Sequence, residues 1–271
     1  MPREEDRAQR LETDFLPERT RALFERLKDE PLLKGFTLIG GSALALQIGH
    51  RISEDLDFNV FGGELPVDRL RALLSTLARE GRQVLSLVTE NEKSAFHINH
   101  GFRMDRLVQD YAVDGAKLTF CSRKAPQRPQ EQIDYLLAAQ KLLPTNEGSG
   151  FDVLETGALF VMKSLVLNDR ARSRDVFDLM VLVRDHGYSL SDLFGAIDRY
   201  GHVDERDPER YKSVLTGLIP LDPKDEGFEG IGLSVSMEEI YGFFQERVDE
   251  YETSLAFEVS RRQKPGLDQN R

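Results

Sequence analysis

Apolar residues recur along this chain at two spacings, and the switches between them outline its elements. In residues 3–30, Leu11, Phe15, Leu16, Leu23, Phe24 and Leu27 recur every three or four positions, which predicts an amphipathic helix. Residues 36–39 form a short strand-like run that stops at Gly40, Gly41 and Ser42. A second helix is expected to start there, carrying Leu44, Leu46 and Ile48 among small residues. Residues 55–60 alternate acidic or polar with apolar positions, the two-residue period of a half-buried strand, and Gly62 with Gly63 closes it. Residues 66–80 return to a helical period through Val67, Leu70, Leu73, Leu74 and Leu77. Residues 84–88, 95–98 and 117–121 read as further strands, and residues 99–113 carry no clear period. Strands alternating with helices imply an α/β layer built around one sheet.

Residues 123–130 hold two prolines and three basic side chains, a loop and a candidate boundary. Beyond it the pattern is helical, over residues 131–141, 152–169, 174–186, 189–200, 206–216 and 237–262. Residues 220–232, rich in glycine, proline and acids, predict a surface loop, and residues 264–271 a frayed tail. The expected organisation is an N-terminal helix (1–30), an α/β core (31–122) and a mostly helical domain (131–262).

With 40% apolar residues in 271, the chain has material for a real core, which excludes a disordered or disulfide-stapled protein. Cys121 is the single cysteine, so neither an intramolecular disulfide nor a cysteine-based zinc cluster is available. The net charge of −11 excludes a protein that coats nucleic acid through its phosphates. That charge is uneven: residues 201–271 alone carry 9 basic and 16 acidic side chains, so the middle is nearly balanced. The charged start lacks the apolar segment of a signal peptide, and no apolar run approaches a bilayer span. A soluble, cytoplasmic protein without a membrane partner is expected.

One stretch carries chemistry. A strand-to-helix turn at Gly40, Gly41 and Ser42 offers backbone N–H groups and a hydroxyl to an anion at a helix N-terminus. Asp55 and Asp57 stand two apart on the next strand, so both carboxylates leave one face while Leu56 and Phe58 enter the core. Oxygen ligands of that kind suit Mg²⁺ or Mn²⁺. Either half alone is more often an ordinary turn or a solvated strand face. Together, a phosphate cradle and a divalent-metal pair are what nucleotide transfer from a triphosphate requires.

These residues resemble the signature of the DNA polymerase β-like nucleotidyltransferases. The fuller string, Gly-Gly-Ser-Ala-Leu-Ala-Leu, then Gly-His-Arg, then Ser-Glu-Asp-Leu-Asp-Phe, is similar to the AbiEii/AbiGii toxin branch of that superfamily. A second block is also similar to that branch: Lys163-Ser164-Leu165, Arg170, and Arg174-Asp175-Val176-Phe177-Asp178-Leu179. The resemblance, spanning residues 30–200, implies a polymerase β-like core of mixed sheet and flanking helices, followed by helices, with the active site between the two parts. It implies that Gly40, Gly41 and Ser42 cradle a nucleoside triphosphate, and that Asp55 and Asp57 bind Mg²⁺ or Mn²⁺. Lys163 and Arg174 would hold phosphate charge, with Asp175 or Asp178 orienting Lys163 or activating the acceptor. It further implies a type IV toxin–antitoxin or abortive-infection toxin, a separately encoded antitoxin, and a tRNA 3′ end as first-choice acceptor.

The second block also reads without the resemblance. On a continuous helix Lys163, Arg170, Arg174 and Asp178 share one sector, and Ser173 could instead cap a new helix. The plain alternative is a solvated face stitched by i,i+4 ion pairs. Many relatives carry a third carboxylate on a later strand, where this chain has Thr119 and Cys121, and spacing does not choose among Asp105, Asp110 and Asp114. The missing third acid leaves open a non-catalytic nucleotide- or partner-binding relative, and a separate alternative keeps the chemistry but transfers to a protein or small-molecule hydroxyl. Arg123, Lys124 and Arg128 with Arg170 and Arg172 would supply a basic track for RNA. His50 and Arg51 read as helix-end residues, His97 and His100 as strand residues, and Cys121 as a buried small hydrophobe.

Overall fold

A computed structural model describes residues 11–123, 128–142 and 150–262. The expected helix over residues 1–10, Lys124 of the basic track and the tail from Lys264 lie outside the described residues. The chain divides into two units: residues 1–159 with 230–232, and residues 160–229 with 233–271.

The first unit is built on a mixed sheet, seven-stranded among the described residues, in the order β3-β4-β5-β2-β1-β7-β6. Its strands are β1 (Thr37–Ile39), β2 (Asp55–Phe61), β3 (Val84–Ser86), β4 (Val108–Val113), β5 (Ala116–Arg123), β6 (Gln140–Leu142) and β7 (Asp152–Leu154). β2 runs parallel to β5 and β1 parallel to β7; the remaining neighbours are antiparallel. Helices α1 (Glu18–Leu27), α2 (Gly40–Ile48), α3 (Val67–Arg79), α4 (Glu90–His100) and α5 (Gln130–Ala138) accompany it.

One face of the sheet is core. Leu38, Leu56, Phe58, Leu118 and Phe120 are fully buried there. The Phe58 ring meets Phe151 edge-on at 4.7 Å and stacks with Phe120 at 5.8 Å. Phe24 of α1 closes the cluster against Phe151 at 6.0 Å. Rings at these separations add specific attraction to a large area of buried apolar surface. Because side chains alternate, filling this face with Leu56 and Phe58 commits Asp55 and Asp57 to the other.

The structure corrects several expectations. Residues 95–98 are not a strand but part of α4, which opens on a capping box: Glu92 N–H donates to Thr89 Oγ1 at 3.2 Å and Thr89 N–H to Glu92 Oε2 at 2.7 Å. His97 and His100 are therefore helical, and no residue of α4 is buried, so no apolar face existed to mark its period. The unperiodic residues 99–113 contain β4, joined to β5 by a two-residue turn in which Asp114 (φ 50°) and Gly115 (φ 83°) are both left-handed. That Asp-Gly pair is a standard hairpin signal. The helices expected over 131–141 and 152–169 each give up an end to the sheet, as β6 and β7. The first expected helix is, among the described residues, a 3-10 turn (Thr13–Phe15) followed by α1.

The second unit is helical. It contains α6 (Thr156–Asp169) from residue 160, then α7 (Ser173–Asp185), α8 (Leu190–Tyr200), α9 (Pro208–Leu215) and α10 (Met237–Arg262). Ile240, Phe244 and Val248 of α10, at four-residue intervals, are buried as it packs on α7, α8 and α9. No described helix is long and apolar enough to cross a membrane.

Candidate active site

In the first unit the turn and the acidic strand meet as their spacing suggested. Antiparallel pairing sets Ile39 opposite Asp57, so the residue before the α2 turn is beside the second carboxylate. Gly40 follows at φ +75°, and a Cβ there would stand 2.7 Å from Asp57 Oδ2. A side chain at position 40 would thus be strained in backbone and would collide with the carboxylate. A Cβ on Gly41 would meet Arg51 Nη2 at 2.7 Å and Ser53 Oγ at 2.9 Å. The two glycines let the α2 N-terminus, the positive end of its dipole, come up against Asp57 on one side and a buried guanidinium on the other.

Ser42 points inward. It is 1% exposed; its hydroxyl donates to the backbone carbonyl of Asp55 and lies 3.0 Å from the Ser53 hydroxyl. Arg51, 6% exposed, donates to the Ile52 carbonyl at 3.0 Å. Ser42, Ser53 and Arg51 therefore brace the approach to β2. Spacing did not reveal the bracing role of Arg51 and Ser53, although both fall in the recognised string.

Strand register defines the rest of the face. β5 sets Lys117 beside Asp55, Thr119 beside Asp57 and Cys121 beside Asn59. Lys117 Nζ lies 3.5 Å from Asp55 Oδ2, both side chains being partly exposed. Of the three acids that spacing left open, Asp110 shares the row of Asp57, but with Thr119 between them. Two strand spacings put it about 9–10 Å away, too far for one ion. Asp105 is bound by Arg103, and Asp114 sits in the hairpin turn with Arg82 and the Gln83 N–H. Among the described residues no group of three His, Cys, Asp or Glu side chains is placed to hold a metal.

Cys121 adjoins this row without being reactive. Burial, reinforced by the charge of Asp57, pushes its thiol up to about 11, and the Asn59 Nδ2 contact at 3.0 Å only partly offsets this. A thiol that stays protonated at neutral pH is no nucleophile.

The second block forms its own cluster in the second unit. α6 ends at Asp169 and α7 begins at Ser173, so the helix is broken, with Arg172 at the cap position one residue before Ser173. Asp225 closes that end, accepting from the Ser173 N–H and hydroxyl at 3.0 Å each. Lys163 Nζ reaches Asp175 Oδ1 at 3.0 Å and Asp178 Oδ2 at 2.5 Å, with side-chain exposures of 7%, 10% and 0%. Arg170 Nε approaches Asp175 Oδ2 to 3.3 Å. Arg174 turns to the 226–227 segment, donating from Nε to the Gly227 carbonyl at 3.0 Å and pairing with Glu226 at 3.2 Å.

Comparison with known proteins gives a family match over a span that contains both blocks. The profile of the family described as "Nucleotidyl transferase AbiEii toxin, Type IV TA system" matches residues 21–258. An uncharacterised protein of Aquifex aeolicus is 26% identical over 242 residues, covering 87% of this chain and 97% of that one. Among solved structures, JHP933 from Helicobacter pylori is similar over 92% of this chain and 100% of its own, at 17% identity and a TM-score of 0.44. The nucleotidyltransferase toxin MenT4 from Mycobacterium tuberculosis is similar over 82% of this chain and 79% of its own, at 13% identity and a TM-score of 0.43.

Proposed function

We propose, from the premise that this chain belongs to the AbiEii family and is a nucleotidyltransferase toxin of a type IV toxin–antitoxin system, that it moves a nucleoside monophosphate onto a tRNA 3′ end with a divalent metal. The observation that carries the reading is the convergence of Asp55, Asp57 and the glycine-opened N-terminus of α2 on one face of the sheet.

The donor set suits Mg²⁺ or Mn²⁺. Mg²⁺ keeps several waters and is commonly held by one or two carboxylates together with substrate phosphates, and Asp55 and Asp57 offer two carboxylates on an accessible face. Bound there, the ion would lower the pKa of the acceptor hydroxyl and neutralise charge on the leaving pyrophosphate. In the transfer, the acceptor oxygen forms a bond to the α-phosphorus as the bond to the bridging oxygen breaks, the hydroxyl proton passes to solvent water, and pyrophosphate departs. Gly40 and Gly41 allow the triphosphate to approach backbone N–H groups. Ser42 serves by anchoring the Asp55 backbone, so that the carboxylate above it has a fixed position. Within the helical unit, Lys163, held by Asp175 and Asp178, and Arg174 are the candidate residues for phosphate charge.

The tRNA acceptor rests on the resemblance, with Arg123, Arg128, Arg170 and Arg172 as candidate phosphate contacts; the partner antitoxin follows from the family, and the cytoplasm is the expected compartment. Incubation of the chain with labelled nucleoside triphosphates, Mg²⁺ and total tRNA tests the proposal. Label on tRNA that disappears in Asp57→Ala is expected. Label on a protein or small molecule instead would change the acceptor, and transfer by Asp57→Ala equal to the native chain would overturn the site.

A further inference from the structure

The carboxylate pair already has a cation beside it, and the fold gives that cation little choice of place. β5 begins after the Asp114 and Gly115 turn, which fixes its pairing with β4, and its seven-residue parallel ladder with β2 sets Lys117 against Asp55. A slip of one residue would turn Lys117 into the core and bring out Leu118, which is fully buried beside Leu56. The ammonium is therefore delivered to Asp55 by the same register that builds the core, ending 3.5 Å from Oδ2.

The surroundings of the pair do not offer what two divalent ions need. A two-metal centre sets its ions about 3.5–4 Å apart and requires anionic groups to bridge and flank them. Here the row beyond Asp57 presents the uncharged Thr119, and among the described residues no third acid, histidine or cysteine joins the two carboxylates. On the neighbouring strand, the position beside Asp55 is Lys117.

We infer that Lys117 is a built-in second cation of this site: the pair Asp55 and Asp57 takes one divalent ion, and the Lys117 ammonium, held on Asp55 by strand register, provides the other positive charge next to the nucleotide phosphates. The inference rests on Asp55 and Asp57 being the metal-binding pair. Lys117 competes with the ion for Asp55 in the free chain, at the modest strength of a partly exposed ion pair.

Mn²⁺ counted by electron paramagnetic resonance on the full chain tests this without relying on turnover. The native chain, saturated with a non-hydrolysable nucleoside triphosphate, is expected to hold one Mn²⁺; two per chain would overturn the inference. Without nucleotide, Lys117→Met is expected to bind Mn²⁺ about two- to five-fold more tightly than the native chain, whereas Lys117→Arg, which keeps the charge, stays near the native value. Unchanged or weaker binding in Lys117→Met would also overturn it. Asp57→Ala separates the two levels: Mn²⁺ binding that survives this change refutes the metal-binding pair itself, while binding that is lost with Asp57 yet insensitive to Lys117 refutes only the role given to the lysine. A melting curve for each variant confirms that it is folded.

Discussion

Two polar clusters in this chain contain the same kinds of side chain and handle their charge in opposite ways. In the first unit, Asp55 and Asp57 stand on the accessible face of a sheet, with Lys117 at the margin of one of them. In the second unit, Lys163 is enclosed with Asp175 and Asp178 at 3.0 and 2.5 Å, where carboxylate and ammonium satisfy each other out of water. Removing a charge from water costs several kcal/mol unless a partner compensates, so the buried cluster is stable only as a complete set. The exposed pair has no such requirement and can give its oxygens to a ligand. Accessible charge is available for chemistry; buried charge holds helices in place and orients what little of itself remains exposed.

The comparison breaks most visibly at Asp57. Asp57→Ala should lower nucleotide transfer by about 100-fold or more, the loss of several kcal/mol of transition-state stabilisation, while its melting temperature stays near native, as befits a partly exposed residue. Asp178→Ala should act first on stability. It leaves Lys163 buried without its Asp178 partner and should cost about 3–5 kcal/mol in urea unfolding; the double change Lys163→Met with Asp178→Leu should recover most of that stability. A native-like Asp178→Ala would mean the second cluster is as open as the first.

The Cys121 thiol reports the first cluster from below. It stays neutral in the folded chain up to about 11, against 9.0 for the ordinary thiol. Its folded pKa is raised, so its contribution to stability is complete below pH 9 and is lost as pH rises toward 11, about 2–3 kcal/mol in all. Unfolding free energies across that window should fall less steeply in Cys121→Ala. Gly40→Ala should cost about 1–2 kcal/mol for its left-handed backbone, and should weaken Mn²⁺ binding as well, because its Cβ displaces Asp57. The smallest effect is expected at the exposed pair of Lys93 with Glu90 on α4. Lys93→Ala should change stability by no more than about 0.5 kcal/mol by chemical denaturation, a floor against which the other changes can be read.

Local pattern made much of this legible. The period-two run at 55–60 placed Asp55 and Asp57 on one face, and the glycines before Ser42 marked the strand-to-helix turn. Pattern failed where burial did not discipline the sequence: α4 buries nothing, so its short apolar run at 95–98 passed for a strand although Thr89 and Glu92 spelled its capping box. It also failed at the short β6 and β7, because β7 pairs with β1, more than a hundred residues earlier, and β6 then pairs with β7.

By itself, then, the sequence determined the identity and spacing of the reactive groups, because helix and strand periods and the backbone freedom of glycine act over a few neighbouring residues. The tertiary structure decided which groups adjoin them. Lys117 meets Asp55 across sixty-two positions, Ser42 spends its hydroxyl on the Asp55 carbonyl, and Lys163 is sealed between two aspartates. Each of those contacts depends on strand register or helix packing, which the core fixes only once the whole unit has folded.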